Sequence, residues 1–378
     1  MNDPSQTSSF REEILSMSLL QLTPLKDIAA VAQVAARHAS EGELHRRLHP
    51  EVARALTEFG FARRFVPERF GGEPVSYAQL TADVAVAGAG CASAAWVASL
   101  LAYSGRFATF LPERGQEEVW AGGPDVRFVA AMIPQGRAVR VDGGFRLSGT
   151  WHYVSGVDYA DWALVLGPAA ENAPSRFMAV RREDFTVEDT WHTLGMRGTG
   201  SHSITLTDVF VPEHRTLPQA DLFAGNRGGV HGAPPLFAVN GLTFAAPLLG
   251  AARGAARLAA ATLGDAPGRP PAKESYRIAY TRATAEVDAA GLLLARVAES
   301  VDEGPVTPEL VARSRRDAAY ATQLLVDAVD RLFEGNGVRS QAQSNPLQRF
   351  WRDVRGGATH GVLQFEAAAL EFTKGPGG

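Results

Sequence analysis

The feature that most narrows the possible folds is a change of hydrophobic period in mid-chain, where short β-prone runs interrupt two long stretches of helical spacing. The runs are Phe128 to Ile133, Ala138 to Val141, Phe145 to Ser148, Trp162 to Leu166, Phe177 to Val180 and Ser203 to Phe210, separated by turn residues. Asp142-Gly143-Gly144 between two of them predicts a hairpin turn. Before the block, Ile28 to His38 and Pro50 to Phe59 carry apolar residues at helical spacing, and Pro67 to Pro74 with its Gly71-Gly72 pair marks a loop. After it, Ala-rich runs at Ala245 to Thr262, Glu274 to Ser300, Pro308 to Phe333 and Gln348 to Phe372 predict four long helices, most simply an antiparallel bundle. Gly225 to Pro235 and Gly264 to Pro271, rich in Gly and Pro, read as connecting loops.

The chain is therefore expected to be α+β, with a flexible tail at 1–20, a helical domain at 21–118, a β domain at 119–220 and a four-helix bundle at 221–378. That order suggests a fold without naming a function. A net charge of -4 with no basic run argues against nucleic acid or anionic lipid as partner. Cys91 is the only cysteine, which excludes an internal disulfide and a cysteine-based zinc site and fits a reducing cytoplasm. Met1 to Arg11 lacks the pattern of a signal peptide, and no apolar run is seen that approaches the roughly 20 residues of a membrane span. No membrane association is expected.

Two stretches of the β block carry the chemistry. Trp191 to Ser201 reads Trp-His-Thr-Leu-Gly-Met-Arg-Gly-Thr-Gly-Ser and is followed by Asp208-Val209-Phe210-Val211-Pro212. Gly198 and Gly200 would let backbone amides approach an anionic or carbonyl-bearing ligand, while Thr199 and Ser201 add hydroxyl donors. The second stretch is Trp151-His152-Tyr153-Val154-Ser155-Gly156. In the bundle, Phe333-Glu334-Gly335-Asn336-Gly337-Val338 and Gln348-Arg349-Phe350-Trp351-Arg352-Asp353 form further motifs.

Together these motifs resemble the acyl-CoA dehydrogenase family, from about Leu22 to Phe372. The resemblance implies that family's fold, with a flavin contacted by Trp151, Tyr153, Val154, Ser155, Gly156, Gly198, Thr199, Gly200, Ser201, Gly335, Asn336 and Gly337. Arg277 matches a family position able to pair with a flavin phosphate, and Arg197 is a second candidate. A dehydrogenase of the main branch has a carboxylate base eight residues after the Arg-Asp aspartate; from Asp353 that count reaches Gly361, which cannot take a proton. Glu366 lies about 140° further round a continuous helix. Glu274, Glu286 and Glu299 are alternative bases, each expected to be a solvated helix position.

Beside Gly361 stands His360, and here the chain is similar to the two-component flavin monooxygenases of the same fold, group D, in Trp-x-x-x-Ser-Gly and in Pro346 to Asp353 followed by histidine. That likeness implies His360 as the base that takes a phenolic proton, a task suited to an imidazole of ordinary pKa near 6.5. It implies that Ser155 donates a hydrogen bond near flavin N5, prolonging a C4a-hydroperoxyflavin formed with O2. The Arg-x-x-Phe-Gly motif of FAD-retaining relatives is missing over Leu263 to Pro267, which favours FMN arriving as FMNH2, with FAD as the alternative. No Gly-x-Gly-x-x-Gly fingerprint occurs, so a separate NAD(P)H-dependent flavin reductase is expected.

The activity implied is hydroxylation of a phenolic or polycyclic aromatic substrate; N-oxygenation of an amine or amino sugar is the closest rival. An acyl-CoA dehydrogenase and a non-catalytic flavin-fold binding protein are the more distant ones. Trp96 and Tyr103, on a helix from Cys91 to Phe107, are candidate walls of the substrate pocket. His152, His192 and His202 lack metal-ligand spacing, and no metal is expected. The family commonly forms homotetramers through the bundle, an assembly that the Ala-rich helices permit.

Overall fold

The computed structural model describes residues 27–168, 174–225, 232–263 and 272–374. The tail at 1–20 and the loop at Gly264 to Pro271 lie outside the described residues.

Among the described residues, five helices form the first part: α1 (Ile28–His45), α2 (Pro50–Phe59), α3 (Tyr77–Gly88), α4 (Ala92–Ala108) and α5 (Glu113–Val119). Their ends follow ordinary capping chemistry. Asp27 caps α1 through Ala29 N–H, and Ser76 caps α3 through Gln79 N–H. Helix α4 is the central element, with nearly every residue buried between the first part and the bundle.

The β part contains two sheets, ordered β1-β4-β5-β8 and β2-β3-β7-β6. The strands are β1 (Phe128–Ala131), β2 (Arg137–Val141), β3 (Gly144–Val154), β4 (Trp162–Pro168), β5 (Ser175–Arg181), β6 (Thr186–Glu188), β7 (His202–Pro212) and β8 (Thr216–Pro218). All pairs are antiparallel except β1 with β4. The facing sides share a core of Phe145, Leu147, Trp151, Val165, Met178 and Ile204. Strands β6 and β8, too short to carry a periodic signal, were not legible in the sequence.

After α6 (Gln219–Ala224) come the bundle helices α7 (Leu236–Leu263), α8 (Glu274–Asp302), α9 (Pro308–Gly335) and α10 (Pro346–Ala358), with α11 (Phe365–Lys374) following. Two expectations change here. The run Gln348 to Phe372 is not one helix: it stops at Ala358, passes through a 3-10 turn at Gly361–Leu363 and restarts at Phe365. Paired glycines at 356 and 357 weaken the end of α10, and His360 adopts an extended backbone that cannot continue it. The helical angle from Gly361 to Glu366 therefore has no meaning, and Glu366 is exposed. In addition, α7 is long and apolar enough to cross a membrane by composition, although 83% of its most apolar stretch is buried inside the protein.

Proline at 247 lies within α7 and has no N–H to offer the Thr243 carbonyl. Ser99 Oγ of α4 donates to that carbonyl at 2.7 Å, fixing α7 against α4 one residue from Phe244.

Candidate active site

The two β-block motifs meet. The backbone N–H of Gly156 donates to the carbonyl of Thr199 at 2.8 Å, and the hydroxyls of Ser155 and Ser201 lie 2.7 Å apart. The β3–β7 ladder is irregular between Trp151 and Val154, where Tyr153 takes a positive φ of 63°. This break turns the Tyr153 ring outward, 67% exposed, with its edge toward Trp191 at 6.3 Å between centroids. It also brings Ser155 to the margin of α4.

The same geometry narrows the expected set of flavin-contacting side chains. Trp151 and Val154 are fully buried, and the Trp151 indole N–H donates to the Leu166 carbonyl at 2.8 Å inside the β core. Only their backbone can face a ligand. The glycines of the Trp191–Ser201 motif also have a packing reason: a Cβ at Gly198 would press on Ser93 at 3.1 Å, and one at Gly200 would meet Asp158 at 2.8 Å. Arg197 donates to the carbonyls of Glu43 and Thr193, tying the motif to α1.

A wall of rings faces Ser155. The Trp96 indole N–H donates to Ser155 Oγ at 3.3 Å, the Trp96 ring lies 5.0 Å from Phe244, and Phe244 stacks on His360 at 3.7 Å. Trp96 also meets His360 edge-on at 5.8 Å. Ser155 and His360, 205 residues apart in the chain, thus converge on one indole. Gly357 makes this possible, because a Cβ there would strike Leu248 at 2.6 Å and approach Trp96 at 3.3 Å. Phe244 falls just before the Ala-rich run read from the sequence, and nothing there singled it out; its place facing Trp96 of α4 is a property of the packed bundle. Tyr103, two helical turns beyond Trp96, packs instead against Phe65 at 5.4 Å and Tyr77 at 6.2 Å.

His360 departs from the ordinary imidazole expected. Its Nδ1 accepts from the Val362 N–H at 3.3 Å, capping the 3-10 turn, so the neutral ring carries its proton on Nε2. Burial beside the two aromatic rings lowers its pKa to about 4.

The loop before Arg197 is clamped to α10. Asp353 Oδ1 accepts from Met196 N–H at 2.6 Å, and Arg352 donates to the Leu194 carbonyl at 2.5 Å. Burial pushes Asp353 up to about 6 despite its bond to Met196. Of the alternative bases, Glu286 pairs with Arg331 at 2.9 Å, and Glu274 and Glu299 are exposed.

The remaining expected cofactor residues form a separate group. Gly335 packs on Tyr276, whose hydroxyl lies 3.1 Å from Thr262 Oγ1, while Arg277, Gly335 and Gly337 are exposed on the bundle surface. His152 pairs with Ser203, apart from the other two, while His192 and buried His202 both lie 3.5 Å from Asp189 Oδ1 and His202 accepts from Trp191 N–H. A cluster with metal-ligating spacing occurs at His38, Glu41 and His49. There the two imidazoles stack at 3.9 Å, and His49 Nδ1 accepts from Glu51 N–H to cap α2, a hydrogen-bonded arrangement.

A two-sheet β part joined to a helical bundle through α4, with hydroxyls and rings at their meeting point, defines a protein of the acyl-CoA dehydrogenase fold. The family model for the acyl-CoA dehydrogenase C-terminal domain matches residues 242–365. The flavin-dependent monooxygenase oxygenase subunit HsaA of Rhodococcus jostii is 33% identical over 365 residues, covering 89% of this chain and 94% of that protein. The FADH2-dependent resorcinol hydroxylase oxygenase component of a Rhizobium species is 31% identical, covering 90% of each. Among solved structures, the crystal structure of 3-HSA hydroxylase from a Rhodococcus species superposes with a TM-score of 0.85 at 30% identity over 92% of this chain and 94% of that one. XiaF from a Streptomyces species, in complex with FADH2 and glycerol, gives 0.85 at 29% identity over 98% and 96%. The chain belongs to the family of flavin-dependent monooxygenase oxygenase components.

Proposed function

We propose that this oxygenase component hydroxylates a phenolic aromatic substrate, using O2 and reduced flavin, FMNH2 in first place and FADH2 as the alternative, supplied by a separate NAD(P)H-dependent reductase. The observation that carries the reading is the convergence of Ser155 and His360 on Trp96. The site fits a flat heteroaromatic ring with polar edge atoms: the ladder breaks at 151–154, the Tyr153 ring is exposed, and the part-exposed Ser155 hydroxyl lies beside the Trp96, Phe244 and His360 rings. Bound reduced flavin would supply the electrons that activate O2, one atom of which would pass to the substrate and the other to water. Trp96 and Phe244 would hold the substrate ring and exclude water.

His360 would take the phenolic proton. At pH 7 burial keeps it neutral, and the negative charge left on the substrate would raise its depressed pKa by pairing. The proton enters at Nδ1, whose lone pair the Val362 N–H then gives up. Relatives named as resorcinol and p-hydroxyphenylacetate hydroxylases support a phenol over an amine. Assembly as a homotetramer belongs to this reading and is supported by apolar side chains on the bundle surface, Ile278, Leu292 and Val338. A cytoplasmic location is supported by the single, buried Cys91.

The test supplies chemically reduced FMN, 18O2 and a panel of phenols, and follows label in the product. Wild type should yield singly labelled catechols. Recovery of all the O2 as hydrogen peroxide across the panel, with no labelled product, overturns the reading. His360→Gln separates the roles of the imidazole: Gln donates hydrogen bonds but takes no proton, so a normal rate in that variant removes the base assignment.

A further inference from the structure

Asparagine is a residue of surfaces and turns, yet α7 carries one at Asn240 among Ala238, Val239, Leu242 and Ala245, all of them buried. The Asn240 side chain is 8% exposed, and among the described residues nothing donates to its buried Oδ1. An unpaired buried acceptor is destabilising, and native interiors hold few of them. Packing gives no reason for it, since leucine would fill a similar volume without that cost.

The position of Asn240 supplies a reason. It stands four residues before Phe244, which stands four before Leu248, so the three side chains form one stripe along α7. The stripe faces the site: Phe244 lies 5.0 Å from the Trp96 ring and stacks on His360. Helix α4 runs antiparallel beside it, because Trp96 meets Phe244, Ser99 donates to the Thr243 carbonyl and Arg106 donates to the Pro234 carbonyl. One end of the stripe is closed, where fully buried Leu248 is packed so tightly on Gly357 of α10 that a Cβ there would strike it at 2.6 Å. Asn240 marks the other end, one helical turn or about 6 Å beyond Phe244.

We infer that Asn240 is a specificity-determining residue that reads a second hydroxyl on the substrate, about 6 Å along from the ring held at Phe244. The inference rests on the reading of this site as the seat of a phenol. The amide itself selects the group: Oδ1 needs a donor, Nδ2 needs an acceptor, and one hydroxyl offers both. A ketone or a carboxylate has no hydrogen for Oδ1, and a hydrocarbon end leaves the whole amide unpaired. A site built to hydrogen-bond a substrate hydroxyl rejects the analogue lacking it, because its own polar group then stays buried without a partner. The spacing exceeds the reach of a single ring, so the substrate class is a two-ring phenol hydroxylated at both ends.

The experiment measures kcat/KM for 2-naphthol, naphthalene-2,6-diol, 4-phenylphenol and biphenyl-4,4′-diol, with chemically reduced FMN, in wild type, Asn240→Leu and Asn240→Ala. The fused and the linked diols bracket the expected spacing. Each diol is divided by its mono-ol and the ratio compared between proteins, so the greater intrinsic reactivity of a diol cancels. In Asn240→Leu the ratio should fall about tenfold or more for at least one pair, with the mono-ol turned over faster than by wild type. Lost packing would instead slow both substrates together. Asn240→Ala should lower the same ratio, and it tests the inference should leucine crowd the seam and unfold the protein. A ratio unmoved in the folded variants overturns the inference, while hydroxylation of the mono-ols by wild type leaves the phenol reading standing. No hydroxylated product from any of the four in wild type overturns both.

Discussion

Two groups of residues were expected to hold flavin, and the structure treats them differently. The group at Trp151–Gly156 and Arg197–Ser201 is wedged between α1, α4 and α10, with its polar atoms tied to one another and to Asp353. The group at Arg277 and Gly335–Gly337 is exposed on the far part of the bundle, packed through Tyr276. The first holds its shape from within a single chain. The second offers a cation and loose glycines to whatever approaches, and it gains definition only from a ligand or from another surface. Motif similarity marks both equally, whereas packing separates a preorganised site from a surface that is not.

The sharpest way to break this comparison is at Gly195, where a Cβ would fall 2.1 Å from the Arg352 carbonyl. Gly195→Ala should lower the unfolding free energy by about 3 kcal/mol and abolish binding of reduced FMN, measured by denaturant titration and anaerobic fluorescence. An unperturbed variant would mean that the clamp between the loop and α10 is slack.

Asp353, the anchor of that clamp, gives a prediction in pH. Its folded pKa of about 6 lies above its ordinary value of 3.8, so the folded protein binds the proton more tightly than the unfolded chain does. Its contribution to stability is therefore fully present below about pH 4 and is lost as pH rises through about 6. Subtracting the stability curve of Asp353→Asn from that of wild type should isolate a fall of roughly 2 to 3 kcal/mol across that window. A flat difference would show that Asp353 is less buried than the structure places it.

In the second group, a Cβ at Gly337 would meet open space, and only its φ of 63° opposes a side chain. Gly337→Ala should cost about 1 kcal/mol of stability, with FMN affinity unchanged. The smallest effect is expected from Arg277→Ala, with affinity for reduced FMN falling less than threefold when measured beside riboflavin. A loss of tenfold or more confined to FMN would show that Arg277 reaches the flavin phosphate, and would sharpen the comparison by making the exposed group part of a site completed by a second copy.

Much of the fold was legible because periodicity survives in long elements. The helix Pro50–Phe59 and the two long helices beginning at Glu274 and Pro308 start where Pro, Thr307 and the apolar spacing place them. The break at Thr359–Gln364 was not legible, since Gly, Thr and His are each tolerated in a helix, and the extended backbone of His360 with its ring capping the turn at Val362 N–H is seen only in the structure.

The residue types at the site were set by the sequence: a serine in Ser-Gly after an irregular strand, a histidine in place of a carboxylate base, and hydroxyls between glycines. Those are local facts, written in consecutive residues. Which of them touch one another was decided by tertiary structure. Trp96 comes from α4, Phe244 from α7 and His360 from the turn after α10, and their rings meet because Gly357 and the Ser99 bond to the Thr243 carbonyl let these elements approach. The partner of Ser155 was likewise absent from the sequence, because the Trp96 indole that donates to it lies 59 residues away in the chain.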